Sequence, residues 1–387
     1  MSVTITTLAD RTRAPETADS TLATQEYFIN MGPQHPSTHG VLRIVLKLDG
    51  ETIREVIPVL GYVHRGIEKI GEHETYRQFI HLSDRMDYLS ALMNNWVVSR
   101  TVEMAAGIEL NDRIETIRTI VAELQRIQSH LLWWGVFGMD LGAFTPFMYG
   151  FRDREFATDI LEETIGSRLT MNYIQPGGLA KDIHPDFVSR VKDYLRYLKP
   201  KIAEYDGLIS GNVIVQERVR DIGPMTVEDA VSLGATGPVL RACGMPYDLR
   251  KVEPYGVYDK VDFSVAVGHT GDSWDRYWVR VEEIRQSIHI IEQLLDNIPE
   301  GKHMTLKPTA KIKVPEGQYY SQMETARGVI GVFLVSDGKP DIPYRIHVRT
   351  PNFNNLWCAT RIAPGFRVAD LVAIVSTLDL VIPDIDR

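Results

Sequence analysis

The nine residues Gly32-Pro-Gln-His-Pro-Ser-Thr-His-Gly40 constrain this chain more than any other stretch. Each proline removes a backbone donor and biases its predecessor away from helix, so no regular element forms across them. The segment is expected to be a fixed loop that carries His35 and His39 into a strongly patterned strand. A loop held by a sheet is a good platform for chemistry. The spacing of four would place both imidazoles on one face of a helix, but the prolines rule the helix out. No metal is therefore assigned to the pair.

At 387 residues the chain is long enough for one large domain or two ordinary ones. A net charge of −9 argues against nucleic acid as the main partner. Two cysteines, Cys243 and Cys358, point to a reducing compartment and exclude an iron–sulfur cluster ligated by this chain alone. No window approaches the roughly 18 uninterrupted apolar residues of a membrane span. The best candidate, 368–382, is interrupted by Asp370 and Asp379. Residues 1–24 lack the apolar core of a signal peptide and carry Asp10, Glu16 and Asp19, which do not suit a transit peptide. They are expected to form a disordered tail.

From Val41 to Val59, alternation of Leu42, Ile44, Leu46 and Leu48 with polar residues, then an Asp49-Gly50 turn, predicts a hairpin. Gly61-Tyr-Val-His-Arg-Gly-Ile-Glu-Lys69 follows as a second loop, with His64 and Arg65 either solvated or facing a groove. From Glu74 to Ala106 the period is helical, through Phe79, Leu82, Met86, Leu89, Met93, Trp96 and Val97. Within it lies Arg85-Met-Asp-Tyr88, whose tyrosine is either a core residue with a satisfied hydroxyl or a ligand-binding group. Asp112 with Glu115 reads as the capping box of a further helix. His130 near its end reads as structural, and Trp133-Trp134 with the Gly138–Pro146 run are expected to break it. Asp140, a carboxylate among apolar residues and glycines, either partners a histidine or ties the loop. Helices are expected over about 153–170, after Pro185 and over 273–297. Strands are expected at 328–336 and 344–350, joined by Asp337-Gly338, with Arg345, His347 and Arg349 forming a basic face. A short helix is expected over 368–378. The fold class is mainly α with β segments (α+β), in one domain over 25–387: a β and loop part (25–73), a helical bundle (74–299) and a β-rich part (300–387).

Several chemistries are absent. There is no G-x-G-x-x-G after a strand, no P-loop, no H-E-x-x-H and no G-x-S-x-G elbow. What the chain does carry is a set of blocks in order: Gly32–Arg43, Gly61–Lys69, Arg85–Tyr88, Asp140–Pro146, Glu324-Thr-Ala-Arg-Gly328, Val335–Gly338 and the terminal Asp386-Arg387. With these blocks, residues 27–387 resemble the D-subunit family of bacterial NADH:quinone oxidoreductase, respiratory complex I. That family is similar in turn to the large subunit of nickel–iron hydrogenases, which implies a helical bundle with an N-terminal hairpin and C-terminal strands. The two C-x-x-C pairs of the hydrogenases are missing. Arg85–Tyr88 stands in the expected region of the first, and Cys358 is alone near that of the second, so the thiolates a soft metal needs are absent.

The resemblance implies a cavity in which a quinone, ubiquinone or menaquinone, is reduced to quinol, coupled to proton translocation. It assigns His39 and Tyr88 to the quinone carbonyls and Asp140 to His39 as its carboxylate partner. It places His35 and Arg65 as neighbours of the site, Arg65 towards the last cluster of the B subunit. It implies the B, C and I subunits of the peripheral arm as partners, and the membrane-embedded H and A subunits at the quinone entrance. The iron–sulfur clusters and FMN belong to partner subunits. The chain is expected on the cytoplasmic side of the inner membrane, held there by partners. The alternative is a structural subunit of a related hydrogenase-like or ferredoxin-linked membrane complex.

Overall fold

The computed structural model describes residues 5–7, 26–35, 40–307 and 310–387. Of the expected tail, Ile5–Thr7 is described, and it forms a strand, β1, paired antiparallel with β2 (Glu26–Met31). The tail expectation fails at these three residues, because an open strand edge offers backbone partners to almost any sequence. β3 (Arg43–Asp49) and β4 (Thr52–Val59) complete a sheet in the order β1-β2-β3-β4. Ile44, Leu46 and Leu48 are buried while their neighbours in β3 are half-exposed, as the alternation predicts. The turn falls one residue later than expected. Asp49 pairs with Thr52, and a register shift between Lys47 and Leu48 takes up the extra residue.

After α1 (Ile67–Gly71), the helical period from Glu74 is realised as two helices rather than one: α2 (Tyr76–Ser83) and α3 (Ala91–Ala106). The break between them is polar and internally bonded. The Asp87 carboxylate accepts the Leu89 N–H at 3.0 Å. Asn94 of α3 donates to the carbonyls of Ser83 and Asp87 at 3.2 and 3.0 Å, and Asn95 donates to the Asp84 carboxylate at 2.6 Å. Such side-chain bonds compete with the helical ladder, and apolar periodicity does not register them.

α4 (Asp112–Asp140) is the central helix, buried on nearly every side. Its cap is Asn111, which accepts the Ile114 N–H at 3.0 Å, with Asp112 and Glu115 in the first turn. The expected Asp112 cap was thus one residue late. The helix runs through the tryptophans that were expected to break it, because both indoles find partners in the core. Trp133 donates to the Ser376 carbonyl at 2.8 Å and Trp134 to the Tyr277 hydroxyl at 3.2 Å. α5 (Phe144–Ile165) begins well before residue 153 and lies hard against α4. At the crossing a Cβ on Gly150 would stand 2.7 Å from the Leu131 carbonyl oxygen.

A two-residue pairing, β5 (Ile174–Gln175) with β6 (Gly178–Leu179), precedes α6 (Phe187–Tyr205) and α7 (Val213–Val219). The connections beyond contain α8 (Val227–Ser232), α9 (Pro238–Ala242) and α10 (Leu249–Val252) before the long α11 (Ser273–Leu295). The second sheet is β7 (Gly317–Glu324), β8 (Val329–Ser336) and β9 (Arg345–Arg349), antiparallel in that order. β7 hides from alternation because its buried positions include Ser321 and Glu324. The basic face expected on β9 is neutralised by α1 and the residue that follows it: Arg345 pairs with Glu72 at 2.8 Å and His347 with Glu68 at 3.0 Å. α12 (Pro351–Ile362), α13 (Val368–Leu378) and α14 (Ile382–Asp386) follow, so helix outweighs strand in the C-terminal part.

Two large hydrophobic clusters occupy most of the interior, with smaller ones beside them. One gathers α3, α4, α6, α11 and the second sheet; the other gathers the first sheet, α9, α12, α13 and α14. Among the described residues no helix is long and apolar enough to cross a membrane.

Candidate functional site

Where α4 meets the C-terminal segment, Tyr88 and Leu89 face Leu132, Trp133 and Val136 across a cleft closed by Asp379, Leu380 and Val381. Its volume is about 150 Å³. Tyr88 therefore sits not within a helix, as expected, but on the turn between α2 and α3. The turn is rigid because buried asparagines satisfy its carbonyls, and a rigid turn fixes where the phenol points. Burial raises the Tyr88 pKa above its ordinary value, with Arg327 opposing and Asp87 and Asp379 adding to the rise. No hydrogen bond occupies its hydroxyl among the described residues. The core reading, which required a satisfied hydroxyl, lacks its bond.

The polar floor beside Tyr88 is a buried cluster of ion pairs. Arg327, wholly buried, reaches Asp87 at 3.1 Å, Ser129 at 2.7 Å and Asp379 at 3.0 Å. Burial alone would depress its charge, but Asp379 and Asp87 outweigh it and raise the pKa. Asp379 also faces Arg280, whose Nε lies 3.6 Å away and whose guanidinium covers the Trp133 ring at 4.7 Å. Burial lowers the Arg280 pKa to about 10, against the pull of Asp379. One guanidinium, that of Arg327, thus ties the Tyr88 turn, α4 and the end of α13 together.

The expected site residues fall as follows. His39 lies outside the described residues, and so does its pairing with Asp140. The loop's ends are described: His35, half-buried, forms an antiparallel bridge with Gly40. A Cβ on Gly40 would stand 3.6 Å from Ile382, at the start of α14, just beyond the cleft wall. Asp140 is the last residue of α4. It stands one turn past Val136, a residue of the cleft wall, at the four-residue spacing that stacks helix side chains. Arg65 donates to the carbonyls of Arg85 at 2.7 Å and Pro383 at 3.3 Å, gripping the Tyr88 turn and α14 from behind. Its pKa is lowered by burial and then by Arg85. The same loop is pinned by Asp386, which accepts the N–H groups of Gly61 and Val63 at 2.9 Å each.

Sequence reasoning missed Arg327, Arg280, Asp379 and Asp384. The signal for the first was present, since Glu324–Gly328 marks the family, but spacing gives a buried arginine no partner. Cys358 is buried on α12 beside Cys243 and Arg276, and residues 379–381 are the ones that face the Tyr88 turn. His130 is structural, as expected, bonding Glu283 at 2.9 Å in the interior. Among the described residues no cluster of three or more His, Cys, Asp or Glu side chains is arranged to hold a metal. A groove of about 450 Å³ between α6 and α11 lies elsewhere. Its charges pair across it, Lys199 with Glu292 at 2.6 Å among them, and it presents no convergent reactive group.

Residues 140–312 and 305–387 match the family described as respiratory-chain NADH dehydrogenase, 49 Kd subunit. The chain is 51% identical over 364 residues to an NADH-quinone oxidoreductase C/D subunit of Bacteroides thetaiotaomicron, covering 94% of this chain and 68% of that one. It is 49% identical to the NADH-quinone oxidoreductase D subunit of Syntrophobacter fumaroxidans, over 94% and 97% of the two chains. Against the D subunit of Bacillus anthracis it is 44% identical, over 94% and 100%.

Proposed function

The chain belongs to the family of 49 Kd subunits, or D subunits, of NADH-quinone oxidoreductase and is a subunit of that oxidoreductase complex, and on that premise we propose that the Tyr88 cleft receives the quinone head group for reduction to quinol. The observation that carries the reading is a phenol hydroxyl, with no hydrogen-bond partner among the described residues, facing a cleft of one-ring size whose walls are apolar except at Asp379. A cavity of about 150 Å³ holds a benzene-sized ring. Leu132, Trp133, Val136, Leu380 and Val381 supply apolar walls, and Tyr88 supplies the polar group that orients a carbonyl.

Two electrons and two protons convert quinone to quinol. Electrons delivered to a ring in an apolar cavity create charge that is too costly to leave unprotonated. Tyr88, with its pKa raised, keeps its proton until a stronger base appears at the ring oxygen. When it donates, the O–H bond of the phenol breaks and that of the quinol forms, and the positive charge of Arg327 stabilises the phenolate left behind. His39 is the second donor in this reading, oriented by Asp140, with His35 as a neighbour. The electrons come from an iron–sulfur cluster of the B subunit, and Arg65 belongs to the side of the site that faces it. The C and I subunits, the membrane-embedded H and A subunits, coupling to proton translocation and a position on the cytoplasmic face of the membrane belong to the same proposal.

Tyr88→Phe tests it in the assembled complex. Losing a positioned proton donor is expected to slow NADH-driven quinone reduction by about 10²-fold or more. Reduction of a hydrophilic acceptor upstream is expected to persist. An assembled Tyr88→Phe complex that reduces quinone at the unmodified rate would refute the placement of the site.

A further inference from the structure

Arg280, on α11, stands behind the lining of the Tyr88 cleft yet supports it in two places. The side chain is wholly buried, and its guanidinium lies 4.7 Å from the ring centroid of Trp133, a wall residue on α4. Its Nη2 donates to the carbonyl of Leu378, the last residue of α13, at 3.3 Å. Its Nε stands 3.6 Å from the carboxylate of Asp379, in the segment that closes the cleft. Its Nη1 donates to the Arg276 carbonyl one turn back in α11, at 2.7 Å, which fixes the direction of the side chain. A wall and the closing segment thus share one support from a third helix.

Both supported parts have a reason to need one. Asp379 has φ of 55°, a left-handed conformation that side chains disfavour, and there the chain leaves α13 for the wall residues Leu380 and Val381. Such a residue persists where its surroundings over-determine it. Arg327 meets one Asp379 carboxylate oxygen at 3.0 Å, and Arg280 stands 3.6 Å from the other. Trp133 is tied at its edge, Nε1 to the Ser376 carbonyl at 2.8 Å, and Phe137 of its own helix stacks on it at 5.5 Å. The guanidinium is what couples the indole ring to Asp379. A lysine in its place would supply a charge but no flat group to lie on an indole.

Resting on the quinone-site reading, we infer that Arg280 is a specificity-determining residue, a positioning group that sets the spacing between the Trp133 wall and residues 379–381. Through that spacing it sets the size of head group that the cleft favours. A hydrophobic pocket separates substrates that differ by one methylene group by about 10- to 200-fold. It does so only while its walls are held.

The assembled complex provides the test, with a one-ring benzoquinone and a two-ring naphthoquinone as acceptors. Arg280→Lys keeps a positive charge and gives up the flat group over Trp133. It is expected to raise KM for the benzoquinone about tenfold, with kcat changed far less, and to move the ratio of the two kcat/KM values about tenfold towards the naphthoquinone. Reduction of a hydrophilic acceptor upstream is expected to persist. A merely structural arginine would lower stability and assembled yield and leave the ratio where it was. Trp133→Phe, a smaller ring in the same wall, is expected to shift the ratio the same way. Adding Arg280→Lys to it should shift the ratio little further, because both act through one contact. The parent ratio in assembled Arg280→Lys overturns the inference, as do two shifts that simply multiply in the double variant. Should Arg280→Lys fail to assemble, the parent ratio in Trp133→Phe overturns it instead. Tyr88→Phe, run alongside, separates the two readings. Loss of turnover in Tyr88→Phe with the parent ratio in Arg280→Lys removes only the spacing role, whereas full turnover in Tyr88→Phe removes the site and the spacing role together.

Discussion

Replacing Arg327 by Met would remove the one charge that joins three walls of the cleft. The side chain is wholly buried, and its loss leaves the Asp87 and Asp379 carboxylates, 3.1 and 3.0 Å from it, without their common counter-ion. Breaking a buried pair by removing one partner costs about 3–5 kcal/mol. Each carboxylate here keeps one other contact: Asp87 the Leu89 N–H at 3.0 Å, and Asp379 the Arg280 guanidinium at 3.6 Å. The lower end, about 3 kcal/mol, is therefore expected, against a total of about 5–15 kcal/mol for a typical domain. Neutralising both acids in the same background, as Asp87→Asn with Asp379→Asn, should restore about 1–2 kcal/mol, because unpaired buried charge is the source of the cost. Urea unfolding of the purified chain, followed by the fluorescence of buried Trp133 and Trp134, measures the series. Heat-inactivation half-lives of the assembled complex should rank the variants in the same order. A single Arg327→Met variant as stable as the parent, or a triple variant less stable than the single one, would refute the counter-ion account.

Two further outcomes follow from the same geometry. Asp84 is buried, and its pKa is lifted to about 7 by burial, with Asn95 and the Asn172 N–H opposing the rise. The unfolded value is about 3.9, so the folded chain binds the extra proton between the two. Its contribution to stability is full at low pH and lost as pH rises from about 4 to about 7, with no further change from this group above that. Unfolding midpoints for Asp84→Asn across that window should show a shallower fall with pH than the parent; an unaltered slope would contradict the shift. Gly237 has φ of 69°, and a Cβ there would lie 2.4 Å from Gly328 Cα and 2.5 Å from the Arg327 carbonyl oxygen. Gly237→Ala should therefore displace the Arg327 loop, destabilising the fold by about 2 kcal/mol or more in urea unfolding, and lower quinone turnover with it.

The sequence alone determined the elements whose burial is one-sided. Alternation located β3 and β4, and the helical period located α11 and α13, because one face of each meets a core and the other meets water or a neighbour. The motif blocks named the family, and with it the residues of the proposed site. Tertiary structure decided the rest. A single apolar period from Glu74 to Ala106 became two helices because Asn94 and Asn95 hold the intervening turn, and that turn carries Tyr88. β7 stayed hidden because buried Ser321 and Glu324 interrupt its apolar face. The charged floor was the least legible part. Asp87, Arg327 and Asp379 come from three segments spread across the chain, and each reads by itself as a solvated side chain. Only the packing of α4 against the second sheet and the chain end removes water from all three at once. Coulomb attraction in that dry interior then selects partners that no local pattern encodes.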